Sequence, residues 1–125
     1  MTMTARHETR PALGAAGTWH VVPDDSMLTF AIRHLGVATV RGRFTRFRGE
    51  LERDGLGMRV AGAVRADSVE TGNQLRDDRV RGAGFLDAAA HPEIHFASSS
   101  IEVTGAGVLV IAGEMTIAAI TRPVT

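Results

Sequence analysis

Residues 68–96 read Ser68-Val69-Glu70-Thr71-Gly72-Asn73-Gln74-Leu75-Arg76-Asp77-Asp78-Arg79-Val80-Arg81-Gly82-Ala83-Gly84-Phe85-Leu86-Asp87-Ala88-Ala89-Ala90-His91-Pro92-Glu93-Ile94-His95-Phe96. The stretch opens as the end of a strand. Thr71-Gly72-Asn73 then reads as a turn whose Asn73 side chain caps a short helix, accepting from backbone amides one turn on. Arg76, Asp77, Asp78, Arg79 and Arg81 make that helical turn charged on both signs. Gly82 and Gly84 release the chain, Phe85-Leu86 is expected to dip into a core, and Ile94 re-enters an apolar strand. Composition therefore makes this a crossover between strands, pinned by Asp77 or Asp87 pairing with Arg76 or Arg79. The competing reading, in which Arg76 and Asp77 orient a ligand head group, is the weaker of the two.

Outward from this crossover the chain is short, apolar and rich in glycine. Its 125 residues predict one domain with one core, and a hydrophobic fraction of 44% excludes disorder. Fourteen glycines scattered among short apolar runs point to an all-β protein. Fourteen basic residues balance fourteen acids, so no global field exists to attract nucleic acid or an anionic membrane. Every basic residue is Arg. Cysteine is absent, which excludes disulfides, thiolate metal sites and thiol nucleophiles. No run approaches a membrane span, and the opening residues lack the apolar segment of a secretory signal, so the expected compartment is the cytoplasm.

In order, residues 1–17 have no period and read as a disordered arm. Trp19 to Val22 is a short strand closed by Pro23-Asp24-Asp25. Met27 to Ile32 is a second, with Phe30 and Ile32 on one face, and it bends at Arg33-His34-Leu35-Gly36. Val40, Gly42 and Phe44 share a face, but Phe47, Gly49 and Leu51 continue on odd numbers. That slip of one residue predicts a β-bulge near Thr45-Arg46. Arg53-Asp54-Gly55 signals a hairpin, and Val60, Gly62, Val64 and Ala66 point inward on the return. A strand from Ile94 to about Val103 and a last one from Val108 to Ile120 complete six strands and one short helix. The chain then stops after an apolar strand, and the expected consequence is an open edge that invites another chain.

The crossover, followed by Phe85-Leu86-Asp87 and His91-Pro92-Glu93-Ile94-His95-Phe96, resembles the signature of the YceI-like polyisoprenoid-binding family. That family shows Ser-Ile-x-Thr-Gly-Asn-x-x-Arg-Asp-x-x-Leu-Arg, then Asp-Phe-Phe-Asp, then Tyr-Pro-x-Ile-x-Phe. Ser68, Thr71, Gly72, Asn73, Arg76, Asp77 and Asp87 carry the match. Trp19, Ser26, Phe30, His34-Leu35-Gly36, Val40 to Phe44, Gly113-x-Met115-Thr116-Ile117 and Thr121-Arg122-Pro123-Val124 follow in the family's order. The resemblance implies an extended, antiparallel, lipocalin-like β-barrel over residues 18–125, incomplete at its C-terminus, with one short helical crossover. It also implies that a long isoprenoid lipid or quinone is carried in the lumen, with no cofactor and no enzymatic activity. Each CH₂ taken from water contributes about 0.8 kcal/mol, and about eight strands enclose one slender ligand. Three departures stand out: Val22-Pro23-Asp24-Asp25-Ser26 lacks the family's Asp and His, Gly84 replaces an Asp, and the family's further strands are missing.

The lumen candidates are Phe30, Ile32, Val40, Phe44, Phe47, Val60, Val64, Phe85, Ile94, Phe96 and Val110. Each alone reads as core, and as a set within this family they read as a ligand channel. His91 and His95 have a zinc-like H-x₃-H spacing, but Pro92 and the strand at Ile94 remove the helix that would join them, so no metal is expected. The run Arg41, Arg43, Arg46, Arg48 is opposed by Glu50, Glu52 and Asp54 and reads as a solvated outer face. A homodimer is expected beside the lipid ligand; the alternative function is an oligomeric structural β-module that uses the open sheet edge without a small ligand. A hydrolase or isomerase using His34 or Asp87 ranks below both.

Overall fold

The computed structural model describes residues 2–7, 16–34, 36, 38–105 and 107–125; nothing is described of the side chains of residues 2–7 or of His34. Ten strands and one helix follow in the order β1 (Thr2–His7), β2 (Gly17–His20), β3 (Ser26–His34), β4 (Ala38–Phe44), β5 (Phe47–Asp54), β6 (Gly57–Arg65), β7 (Val69–Glu70), α1 (Gln74–Arg81), β8 (Glu93–Thr104), β9 (Val108–Ile117) and β10 (Ile120–Val124). Every pairing is antiparallel. One sheet runs β1-β3-β4-β7 and the other β10-β9-β8-β6-β5-β2.

The slip of phase at Thr45-Arg46 is a corner rather than a bulge. β4 belongs to the first sheet and β5 to the second, and only residues 45 and 46 separate them. A 3-10 turn over Ala66–Ser68 makes the matching corner between β6 and β7. Ser68 fastens the two corners: its hydroxyl donates to the Arg65 carbonyl at 2.7 Å and accepts from the Arg46 N–H at 3.1 Å. The Ser68 carbonyl takes the Thr45 N–H at 3.2 Å, so the bent backbone keeps its hydrogen bonds. A third bend, through the turn Pro23–Asp25, divides β2 from β3 in the same way. The two sheets are thus one ribbon, β10-β9-β8-β6/β7-β5/β4-β2/β3-β1, folded over itself at the corners and not closed into a barrel. The fold is all-β, antiparallel and lipocalin-like.

Three expectations change. Part of the N-terminal arm is a strand: Thr2 to His7 pairs with Ala31 to Ser26, using an edge of β3 that would otherwise be open, while residues 8–15 lie outside the described residues. A bulge does exist, but on β8, where Ser99 is the extra residue between Ser98 and Ser100. There the Ser98 hydroxyl accepts the Val60 N–H at 2.8 Å just beyond the end of the β6–β8 ladder. The last strand is also two strands. It turns at Ala118 and Ala119, whose φ angles are 49° and 66°, so that Thr121 to Val124 pair back onto β9.

Two consecutive positive φ values form the tight hairpin turn that Asn-Gly fills without strain. Alanine pays a left-handed penalty of about 1–2 kcal/mol at each position. Replacing Ala118-Ala119 by Asn-Gly is therefore expected to raise stability by about 1.5 kcal/mol. A rise in the denaturant midpoint at unchanged slope checks it.

The core sits where the sheets face each other across the corners: Leu28, Phe30, Phe44 and Val69 from the first sheet, Val64, Ile94 and Met115 from the second, with Ala66 at the corner. Each large side chain buried there contributes about 1.5–3 kcal/mol. Phe47, Val80, Leu86, Ala88, Ile117 and Val124 pack around this cluster. Gly42, opposite Phe30 in the ladder, leaves room for the Phe30 ring, which a Cβ at that position would strike.

Candidate functional site

Between the sheets lies an apolar pocket of about 90 Å³. Phe30, Ile32, Val40, Phe44 and Val69 line it from the first sheet. Ile94, Met115 and Ile117 line it from the second, and Val80 and Leu86 close it from the crossover. The rings of Phe30 and Phe44 lie 5.2 Å apart at a 41° tilt, an edge-biased contact that fixes this wall. Its polar members are Thr71 and Arg76.

These two belong to a small polar node that holds the crossover. Asn73 caps α1, its side-chain oxygen accepting the Arg76 N–H at 3.0 Å. Asp77 is buried at 6% exposure, and its carboxylate accepts the Thr71 N–H at 3.0 Å and the Thr71 hydroxyl at 2.5 Å. Arg76 reaches the same residue from the solvent side, giving Nε–H to the Thr71 hydroxyl and Nη2–H to its carbonyl, both at 2.8 Å. Arg81 ties the far end down by donating to the carbonyls of Asp67 and Val69, each at 2.9 Å. Thr71, not an arginine, is thus the partner of Asp77, and the expected pairing with Arg76 or Arg79 does not occur. The reason is geometric: Thr71 precedes the helix and presents both its donors to the carboxylate. Gly72, at φ 86°, makes the turn between them. Asp77→Asn keeps the shape but halves the acceptors, and is expected to cost about 2 kcal/mol; thermal unfolding of the purified variant measures it.

Of the eleven sequence candidates, Phe30, Ile32, Val40, Phe44 and Ile94 meet at the pocket. Val64 is in the core beside it, and Phe47 packs against that core. Val60 and Phe96 are half-buried on the same inner face of the larger sheet, further from the corner. Two candidates are misplaced. Phe85 is 61% exposed, because the turn after α1 sends Leu86 inward instead, through its N–H bond to the Val80 carbonyl at 3.0 Å. Val110 is 40% exposed on the outer face, since β9 alternates without interruption and its inward residues are Leu109, Ile111, Gly113 and Met115, with Met115 opposite Phe96. Val69, Thr71, Val80, Leu86, Met115 and Ile117 also line the pocket and were not among those candidates. All six had a usable signal, each lying inside a family motif.

Asp87 sits at φ 49° in the loop after α1, and its carbonyl accepts the His91 N–H at 2.8 Å. The His34 side chain and Leu35 lie outside the described residues. His95 is exposed on β8, and no group of three His, Asp or Glu able to share a metal exists among the described residues. Most of the outer arginines are matched with acids: Arg43 with Glu70, Arg46 and Arg65 with Asp67, Arg48 with Glu93, and Arg59 with Glu52 and Asp54, while Arg41 has no acid partner among the described residues. Hydrogen bonds from Arg65, Arg48 and Arg59 hold the carboxyls of Asp67, Glu93 and Asp54 below their usual range. This face is an ion-paired lattice, not a free cationic stripe. No helix among the described residues is long and apolar enough to cross a membrane.

The profile of the YceI-like domain matches residues 19–125, from the first strand of the larger sheet to the end of β10. The chain belongs to the YceI-like family. Among curated relatives, a UPF0312 protein of Shewanella oneidensis is 37% identical over 99 residues, covering 77% of this chain and 52% of its own length. A UPF0312 protein of Vibrio parahaemolyticus is 29% identical over 119 residues, covering 90% of this chain and 63% of its own. The chain thus spans about half to two-thirds of the length of the relatives it matches. The crystal structure of BcnA from Burkholderia cenocepacia superposes with a TM-score of 0.67 at 23% identity, covering 84% of this chain and 67% of BcnA. The Campylobacter jejuni YceI protein gives 0.59 at 24% identity, covering 76% of this chain and 57% of its own. Both likenesses are of fold. In YceI terms the pocket lies inside the folded ribbon, beneath the signature crossover.

Proposed function

We propose that this YceI-like chain binds and carries a long-chain apolar lipid, of the isoprenoid or quinone type, on the inner side of its folded sheet, and that it is a carrier rather than an enzyme. The observation that carries the reading is the pocket under α1: ten of its twelve lining residues are aliphatic, aromatic or Met, with Thr71 and Arg76 alone polar. Such a site rewards apolar surface and offers neither a nucleophile with its base nor a paired acid and base. At about 90 Å³ it is smaller than the engineered cavity of about 150 Å³ that takes up benzene. It therefore holds the end of a chain rather than a whole lipid. The inner face of the larger sheet continues the apolar track through Phe96, Val60, Leu51, Ile111 and Ile101, all half-buried. From Ile94 to Ile101, six ladder steps across the Ser99 bulge, that track is about 20 Å long, enough for an extended chain rather than a compact ligand.

Titration with a fluorescent long-chain probe, competed by an isoprenoid alcohol or a quinone, tests the assignment. Leu86→Trp places a large ring in the pocket and is expected to weaken probe binding by about tenfold or more while circular dichroism shows the sheet intact. Unchanged affinity in that variant places the ligand elsewhere.

A second reading is an edge-paired homodimer. It is favoured by the outer edges of β1 and β10, the two ends of the ribbon, which pair with no strand among the described residues. Solution mass at rising concentration separates the two: a strict monomer that binds the probe removes the dimer.

A further inference from the structure

The crossover closes only one end of the folded sheet. β6 and β8 are antiparallel, so the β5–β6 turn at Gly55-Leu56 and the β8–β9 turn after Thr104 project together from the opposite end. Met58 is about 20 Å along β6 from Val64 and the pocket region. At this far end Leu56 is 93% exposed, the most exposed large apolar side chain of the described residues, and Val103 and Val108 flanking the β8–β9 turn are 55% and 53% exposed. Arg53, Leu56, Met58 and Ile101 line an open groove of about 500 Å³ there. Arg53 pairs with Met58 in the ladder and so shares the inner, apolar face. It has no acid partner among the described residues, whereas Arg59 beside it on the outer face pairs with Glu52 and Asp54. Leu56 is held out by its own turn, its N–H donating to the Asp54 carboxylate at 2.8 Å, and Asp54 is neutralised by Arg59.

An exposed apolar tip with an unpaired guanidinium a turn behind it has the arrangement of an interfacial anchor. The tip enters the acyl boundary while the cation stays at the level of the phosphates. A soluble partner would also accept the apolar patch. The Arg placed behind Leu56 favours a surface that is apolar within and phosphate-bearing above.

We propose that the Gly55-Leu56 hairpin end docks the protein on a lipid bilayer, Leu56 inserting and Arg53 meeting the lipid phosphates. The choice of a bilayer over a protein partner rests on the reading that the cargo is a membrane lipid. Docking at this end would present the open apolar face of the larger sheet to the leaflet, the shortest route for a water-insoluble chain.

The test is sedimentation of the full chain with vesicles of phosphatidylcholine carrying a minority of phosphatidylglycerol. The wild-type chain is expected to sediment with them. Leu56→Asp is expected to weaken partitioning by about tenfold or more. Arg53→Ala is expected to weaken it by about fivefold, with Arg53→Lys restoring most of the loss. Because Leu56 is on an exposed turn, Leu56→Asp keeps the fold and still takes up the fluorescent probe from solution, but receives it from vesicles more slowly. A wild-type chain that stays in the supernatant while binding the probe overturns the docking and leaves the cargo reading standing. Vesicle binding that Leu56→Asp does not change also overturns it. Vesicle binding through Leu56 by a chain that never takes up the probe sinks the cargo reading instead.

Discussion

Phe44→Ala is expected to lower the stability of the fold by about 4 kcal/mol and, in the same step, to widen its pocket. Phe44 is 6% exposed, its ring leans on that of Phe30, and its backbone pairs with Leu28 on one side and Val69 on the other. It therefore joins the first sheet to the short β7 just where the corner turns. Removing the ring leaves a cavity that neighbours on three strands cannot collapse to fill, which is why the cost lies towards the upper part of the range for core truncations. The same cavity adjoins the space beneath Val80 and Leu86. An apolar ligand that fills it should recover stability in proportion to its occupancy, by about 2.7 kcal/mol when present at a hundred times its dissociation constant. Denaturant midpoints at constant slope, with and without the long-chain probe, read both effects. A loss below about 1 kcal/mol would contradict the assignment of Phe44 to the centre of the core.

Gly113→Ala should cost about 3 kcal/mol, although it adds only one methyl group. A Cβ at Gly113 would run into the carbonyl oxygen of Ala97 across the β8–β9 ladder, and it would lie 2.8 Å and 2.9 Å from two carbons of the Phe96 ring. The ring could swing aside. The carbonyl is held in the ladder next to the Ser99 bulge, so the backbone itself must shift. Gly84→Ala is the control: a Cβ there meets nothing within 4 Å, and the change should stay within about 0.5 kcal/mol. Equal midpoints for the two variants would show that the close packing at Gly113 is not real.

Much of this fold was legible in the residues, and what was missed has identifiable causes. The signature crossover gave the family, and Asn73 three residues before Arg76 marked the helix start by its own chemistry. Alternation placed Phe30, Phe44, Val64 and Ile94 on inward faces, because one buried face imposes a period of two. The phase slip at Thr45-Arg46 is plain in the residues, but a bulge and a corner leave the same trace in a sequence. Only the pairing partners of β4 and β5, in different sheets, separate them. The turn at Ala118-Ala119 was invisible because its residues carry no turn preference; tertiary pairing of Thr121 to Val124 with β9 forces a conformation that alanine disfavours.

The errors within the site are of the same kind. Val110 lies in a run that is apolar on both faces, so alternation alone does not say which residues of β9 face in; the pairing of Met115 with Phe96 puts the odd-numbered ones inside. The sequence sends Phe85 and Leu86 inward together, whereas backbone hydrogen bonds to Val80 and Gly82 turn only Leu86 in. Thr71 was read as a turn residue and is the hinge of the polar node, a role set by its distance from the Asp77 carboxylate rather than by spacing.

The most direct test of the central claim is solvent extraction of the purified chain followed by mass spectrometry of what it releases. The proposed carrier role predicts a long-chain apolar lipid in an amount approaching one per chain, and its loss in Leu86→Trp. Extracts that repeatedly contain no such lipid, from protein that is folded and has been exposed to isoprenoid and quinone, would contradict it.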